Sequence, residues 1–173
     1  LLDNAISKGW GDRPCIQAPG VHWTYAELLA QANRIANVLV QDMGLVPGNR
    51  VLLRAPNNPM LVASWFAVMK AGGIAVATMP LLRAKELRQM IAKGEVSHAL
   101  CDMRLTDDLR AAAAEPDGAA LQHIRYFNTA PGGAPEQSLE AAMARQSDTF
   151  TNVDTAADDT CILAFTSGTT GVP

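Results

Sequence analysis

Six consecutive residues near the end of the chain, Thr166-Ser167-Gly168-Thr169-Thr170-Gly171, carry four hydroxyls and two glycines, with no side chain larger than threonine. Glycine reaches positive φ without steric cost, so such a loop can turn successive backbone N–H groups inward to make an anion-binding concavity, and the hydroxyls add donors for phosphate oxygens. The run directly follows Cys161-Ile162-Leu163-Ala164-Phe165, which reads as a buried strand. The carboxyl end of a strand is where open α/β sheets place their ligands. The loop matches neither Gly-x-x-x-x-Gly-Lys-Ser/Thr nor Gly-x-Gly-x-x-Gly. On the residues alone, phosphate binding and an ordinary Gly/Ser/Thr surface loop both stay open.

Other candidates read more plainly. Asp158-Asp159, before the last strand, are expected to be solvated turn residues rather than metal carboxylates. Arg83, Lys85 and Arg88 are expected on the wet face of one amphipathic helix, where a contact to a ligand phosphate is the competing role. Trp23, Trp65 and Phe66 are expected in the core rather than as a platform for a base. His22, His98 and His123 stand apart from one another and from Cys15, Cys101 and Cys161, so no zinc-ligand spacing arises and no protein-built metal site is expected. Three scattered cysteines argue against a disulfide framework and for a reducing, cytoplasmic setting.

The elements that must carry the loop follow from periodicity. Thr24 with Glu27 is a capping box, and Leu28, Ala32, Ile35 and Leu39 continue at helical spacing to a left-handed stop at Gly44. Val51, Leu52 and Leu53 read as a buried strand. Asn58 and Pro59 then start a helix over 59–71 that is apolar on all sides, followed by a strand over 74–79. Leu87, Met90 and Ile91 mark a helix ending near Gly94, and residues 98–101 a strand. Thr106 or Asp107 caps a helix through the alanine run at 111–114, and residues 124–127 form another strand. Residues 129–137 read as a loop, with a short helix after Ser138. Strands alternating with helices predict an α/β fold with a largely parallel sheet flanked by helices.

The whole is 173 residues, 49% hydrophobic, with a formal charge of −3. That composition supports a core, and the charge is too small to gather nucleic acid or anionic lipid, so neither a nucleic-acid nor a membrane partner is expected. Residues 59–82 hold only Lys70 as a full charge before the last two leucines, but Gly72-Gly73 and Pro80 divide them into pieces too short to span a bilayer. No signal-peptide pattern is present in the sequence.

The run from Leu163 to Pro173 resembles the phosphate-loop signature of the adenylate-forming, AMP-binding superfamily, which includes acyl-CoA synthetases, peptide-synthetase adenylation domains and luciferases. Trp23-Thr24-Tyr25-Ala26-Glu27-Leu28 is similar to that family's early helix start, and the passage from Lys70 to Pro80 to its helix-to-strand join. Met79-Pro80-Leu81-Leu82-Arg83 resembles benzoate- and 2-aminobenzoate-CoA ligases.

The resemblance implies an AMP-forming acid-CoA ligase that activates a carboxylic acid, aromatic by the subfamily likeness, with ATP and passes the acyl group to coenzyme A. Magnesium accompanies the triphosphate. Thr166, Ser167, Thr169 and Thr170 would then bind the β- and γ-phosphates through hydroxyls, with Gly168 and Gly171 letting the backbone close. An adenylation domain loading a carrier protein, and a non-catalytic module of the same fold, are the alternatives.

The family signature continues with lysine and glycine after the proline. Residues 1–173 are therefore expected to be the N-terminal part of a large AMP-binding domain without its small C-terminal domain, whose catalytic residues lie further on. Such a piece is expected to be inactive alone, to hold no ATP, and to be prone to self-association through an exposed apolar face.

Overall fold

The structure, a computed structural model, describes residues 1–118, 120–129 and 135–165. It opens with a short helix α1 (Leu2–Ser7) and an antiparallel hairpin, β1 (Pro14–Ala18) and β2 (Val21–Thr24). Helix α2 (Tyr25–Asn37) starts at the expected capping box: Thr24 Oγ1 accepts from Glu27 N at 3.2 Å, and Glu27 Oε2 accepts from Thr24 N at 2.7 Å. A π-helical turn (Val38–Asp42) extends it, and Gly44 turns the chain with φ +69°.

Four parallel strands follow: β3 (Arg50–Arg54), β4 (Ile74–Thr78), β5 (Val96–Asp102) and β6 (His123–Phe127), in the spatial order β4-β3-β5-β6. Their connections run through α3 (Pro59–Lys70), α4 (Ala84–Gly94) and α5 (Thr106–Ala113). Helix α6 (Leu139–Met143), capped by Ser138 Oγ accepting from Ala141 N, comes last. The α/β expectation holds.

Strands covered on both faces lose the alternation of a half-exposed sheet. Val51 and Leu53 of β3 enter one apolar cluster with α2, α3 and α6, while Leu52 between them enters a second with α4 and α5. In β5, Leu100 goes to the first cluster and Ala99 and Cys101 to the second. Cys101 is buried, and desolvation pushes its thiol up to about 12 against the pull of Arg54. It behaves as a small hydrophobe.

Two asparagines fix the outer strap. Asn33 Nδ2 donates to Asp148 O at 2.7 Å, and Asn37 Nδ2 donates to Ser147 O and Thr149 O at 3.0 and 2.9 Å, laying residues 147–149 across α2. The strap then passes Lys70, whose carbonyl accepts from Val153 N. Lys70, buried at the end of α3, donates both to Asp3 Oδ1 and Asp3 Oδ2 at 2.9 and 2.8 Å, joining α1 to the core.

Several expectations are corrected. Helix α3 keeps Trp65 and Phe66 only half-buried, because the face that carries them borders a cleft rather than sheet. Thr106 opens α5 without capping it: its hydroxyl donates back to Met103 O, and Asp102 instead accepts from Arg104 N in the turn before. The histidines are not all apart, since parallel pairing sets His98 opposite His123 with ring centroids 4.8 Å apart. Residues 161–165 do not form a buried strand. Ile162 makes a single parallel bridge with Ala75, and among the described residues nothing pairs with the segment's outer side.

Among the described residues no helix is long and apolar enough to cross a membrane, and no cluster of three or more His, Cys, Asp or Glu could hold a metal ion. Two glycines separate backbone strain from crowding. A Cβ at Gly44 would meet open space, whereas one at Gly72, with φ +72°, would stand 2.9 Å from Val153 Cγ1 and 3.2 Å from Pro47 Cβ. Gly44→Ala should therefore cost about 1–2 kcal/mol for the left-handed backbone alone. Gly72→Ala should cost roughly 2–4 kcal/mol, because overpacking adds to that strain. Urea unfolding of both variants measures the difference, and equal losses would mean that residue 153 yields freely.

Candidate functional site

In a parallel sheet of order β4-β3-β5-β6 the chain leaves β3 to one side and returns on the other. The switch point therefore lies between the carboxyl ends of β3 and β5. Each strand that ends there presents a polar residue: Arg54 from β3, Thr78 from β4 and Asp102 from β5, with Asn128 directly after β6.

Arg54 has no solvent exposure. Its guanidinium donates to Leu105 O at 3.3 Å, Met79 O at 3.2 Å, Pro80 O at 3.3 Å and Leu82 O at 2.8 Å. The nearest carboxylate, Asp108, is 4.0 Å away and also meets Arg83 at 3.4 Å and Ala84 N at 3.2 Å. Burial lowers the guanidinium's pKa from its ordinary value, with Asp108 among the charges that oppose this. Thr78 Oγ1 donates to Leu53 O at 3.2 Å and stitches the edge strand to the centre.

Asp102 is equally buried and fully engaged. Arg104 donates to Asp102 Oδ1 from Nε and to Asp102 Oδ2 from a terminal nitrogen, each at 2.8 Å. Asn58 Nδ2 and Asn128 Nδ2 also donate to Asp102 Oδ2, at 3.2 and 2.7 Å. Burial alone would raise this carboxyl, but the bonds from Arg104 and Asn128 outweigh it and hold the group below the ordinary carboxylate value. Asn58 meanwhile caps α3, its Oδ1 accepting from Leu61 N at 2.9 Å. Asn128 reaches Asp102 from a left-handed backbone, φ +56°.

Beside these two anchors, between α3 and the end of β4, lies a cleft of about 490 Å³. Leu61, Val62, Trp65, Phe66, Met79 and Pro80 form most of its wall. Arg54 fixes one side of it, because three of the four carbonyls it holds belong to the 79–82 loop. Met79 and Leu81 of that loop are 64% and 81% exposed.

The segment that leads to the hydroxyl-rich loop joins the sheet at its β4 edge. Ala75 N donates to Cys161 O at 2.9 Å, and Leu163 N donates to Ala75 O at 3.0 Å. Leu163 and Phe165 pack against the cluster under α4 and α5. Thr166, Ser167, Gly168, Thr169, Thr170 and Gly171 lie outside the described residues. Asp159 is the turn residue expected of it, its carboxylate accepting from Ala156 N at 2.8 Å. Arg83 and Arg88 pair with Asp108 and Glu115 on the wet side of α4, and Lys85 is exposed there.

Arg54, Asp102 and Asn128 escaped the reading of the sequence. Their one signal is a polar residue closing an otherwise apolar strand, as in Val51-Leu52-Leu53-Arg54 and Ala99-Leu100-Cys101-Asp102.

The sequence pattern of the family described as AMP-binding enzyme matches residues 3–173. The chain is 28% identical over 179 residues to the 3-hydroxybenzoate–CoA ligase of Aromatoleum sp. (strain CIB), covering 100% of this chain and 32% of that protein. It is 28% identical over 173 residues to the benzoate–CoA ligase of Thauera aromatica, with the same coverage of 100% and 32%. The fold superimposes on the crystal structure of the anthranilate CoA ligase AuaEII in complex with anthranoyl-AMP with a TM-score of 0.90. That match has 22% identity and covers 99% of this chain and 32% of the other, a likeness of fold. The chain spans about a third of the length of the curated relatives it matches.

The carboxyl edge itself can be tested. Arg54→Met leaves four carbonyls without their donor in a dry site and should cost on the order of 3–5 kcal/mol. Asp102, held below its ordinary pKa, contributes stability that is present above the unfolded carboxyl's value and lost as pH falls through the folded one. The wild type should thus lose stability below about pH 4, and Asp102→Asn should lower stability at neutral pH while flattening that acid limb. Chemical unfolding across pH 2.5–7 checks both. Parallel wild-type and Asp102→Asn curves would contradict the assignment.

Proposed function

The chain belongs to the AMP-binding enzyme family, and from that premise we propose that it forms the N-terminal part of the large domain of an AMP-forming acid-CoA ligase acting on an aromatic carboxylic acid. The family match along residues 3–173 carries this reading. Relatives named for benzoate and 3-hydroxybenzoate support the aromatic class, as does the fold likeness to a ligase holding anthranoyl-AMP.

In the reaction, a carboxylate oxygen of the acid attacks the α-phosphorus of ATP, the bond to the bridging oxygen breaks, and pyrophosphate leaves. The thiol of coenzyme A, losing its proton, then attacks the acyl carbon and AMP departs. Magnesium accompanies the triphosphate. This chain's own contribution is the loop from Thr166 to Gly171. Its hydroxyls and backbone N–H groups would hold the β- and γ-phosphates, stabilising the charge that builds on the departing pyrophosphate with donors already in place. Arg54 and Asp102 take no part in binding the nucleotide, since both are spent on the chain's own carbonyls and amides.

The full-length enzyme carrying this chain should exchange labelled pyrophosphate into ATP in the presence of benzoate, 3-hydroxybenzoate or 2-aminobenzoate, and release AMP. Release of ADP instead would overturn the reading. Changing Thr169 and Thr170 together to alanine removes two donors to a charged group, each worth about 1.5–3 kcal/mol. Adenylate formation should slow by about 100-fold or more. If only thioester formation slowed, the loop's assigned role would be wrong.

A further inference from the structure

After α6 the described chain forms no further helix or strand, yet one short stretch, residues 70–75, holds it at two places. At the first, Val153 N donates to Lys70 O at 2.9 Å. At the second, Ala75 N donates to Cys161 O at 2.9 Å and Leu163 N donates to Ala75 O at 3.0 Å. Residues 153–161 therefore form an arch whose feet stand at the end of α3 and the start of β4, an Ω-type loop whose ends lie close together. A recess of about 360 Å³ lies between the arch, the Pro47-Gly48 turn and Gly72-Gly73.

The first foot is a plug in a notch. A Cβ at Gly72 would stand 2.9 Å from Val153 Cγ1 and 3.2 Å from Pro47 Cβ, so Val153 occupies the space that the glycine leaves. Directly before it, Asn152 Nδ2 donates to Asp3 Oδ2 at 3.3 Å, on the carboxylate that also takes the Lys70 ammonium. The foot is thus tied to α1 and α3 at once. Between the feet residues 154–160 are exposed, and Asp159 closes a turn by accepting from Ala156 N at 2.8 Å. The course of the arch is therefore decided at its feet.

We infer that Val153 is a positioning residue for the nucleotide: seated in the Gly72 notch, it fixes the first foot of the arch, so that the second foot meets Ala75 in one register and the chain beyond Phe165 starts from a fixed point. The inference rests on the proposed binding of phosphates by residues 166–171. Emptying the notch loosens the first foot, and the backbone freedom regained by the arch has to be given up again when the nucleotide binds. That cost falls on ground state and transition state alike, so it belongs in KM rather than in kcat.

The full-length enzyme provides the test. Val153→Ala should raise the KM for MgATP by about three- to tenfold. Its kcat at saturating nucleotide should stay within about twofold of wild type, and the KM for the acid should not move. Val153→Thr keeps the branched shape and the N–H, and should behave as wild type. Exchange of the Leu163 amide, which bonds across the second foot, should quicken by about tenfold in Val153→Ala and not in Val153→Thr.

A purely structural role would lower kcat through loss of active enzyme and leave both KM values alone. That result, or a Leu163 amide equally protected in all three proteins, would overturn the inference. The double change of Thr169 and Thr170 to alanine separates it from the reading of the loop. If that variant forms adenylate at the wild-type rate, the loop's role falls and this inference falls with it. If that variant is slow while Val153→Ala keeps the wild-type KM for MgATP, this inference alone is wrong.

Discussion

A full positive charge without solvent exposure is the constraint around which the carboxyl edge of this sheet is arranged. Stripping a guanidinium of water costs several kcal/mol even after the protein relaxes, and at Arg54 the compensation comes mostly from backbone. Three of its four carbonyl partners lie in the loop that leaves β4, and the fourth lies in the turn that leaves β5. One side chain on the central strand therefore dictates how the chain exits the strands on both sides. Its one nearby carboxylate, Asp108, meets the first N–H of α4 and the side chain before it, so the start of that helix is set by the same charge.

Asp102 repeats the arrangement with the opposite sign. Its oxygens gather Arg104, Asn58 and Asn128, and Asn58 in turn caps α3, so the carboxylate couples the ends of β5 and β6 to a helix on the other crossover. Each buried charge is engaged by its own set of partners from the chain. What stays open beside them is an apolar cleft walled by Trp65, Phe66 and Met79. Among the described residues, the Arg54 guanidinium is already engaged by backbone carbonyls. The triphosphate is instead proposed to meet the hydroxyl and glycine run at 166–171.

Local patterns in the sequence disclosed most of the architecture. The capping box at Thr24, the Asn58-Pro59 start and the apolar runs at β3 and β4 are decided within a few residues, and each appears where its pattern stands. The features that were missed depend on partners far along the chain. The stack of His98 on His123 exists only because parallel register pairs two residues 25 apart, and Arg54 and Asp102 look like strand ends until the loops that wrap them are in place. The N-terminal hairpin had a signal, Pro19-Gly20 between two short alternating runs, but a two-stranded ribbon has too few residues to be distinctive. Of the candidate site, the residue types at 166–171 suggest phosphate chemistry, and those residues lie outside the described part of the structure.

The join between the sheet and the segment before that loop is narrow. Residues 161–163 attach to β4 through two backbone hydrogen bonds around Ala75, where β3 and β4 share a five-residue register. Side-chain packing supplies the rest, and it depends on an absence: a Cβ on Gly94 would stand 3.3 Å from Leu163 Cδ2 and 3.5 Å from the Phe165 ring. A Cβ at the end of α4 would crowd Leu163 and Val96 while meeting Phe165 in ordinary contact. The same glycine precedes Glu95, which adopts φ +47° to turn the chain into β5. The helix stop that directs the chain into β5 thus also makes the seat for the segment that delivers the loop. Position 94 is held to a small residue by packing, since a Cβ there would crowd Leu163 and Val96, each at 3.3 Å.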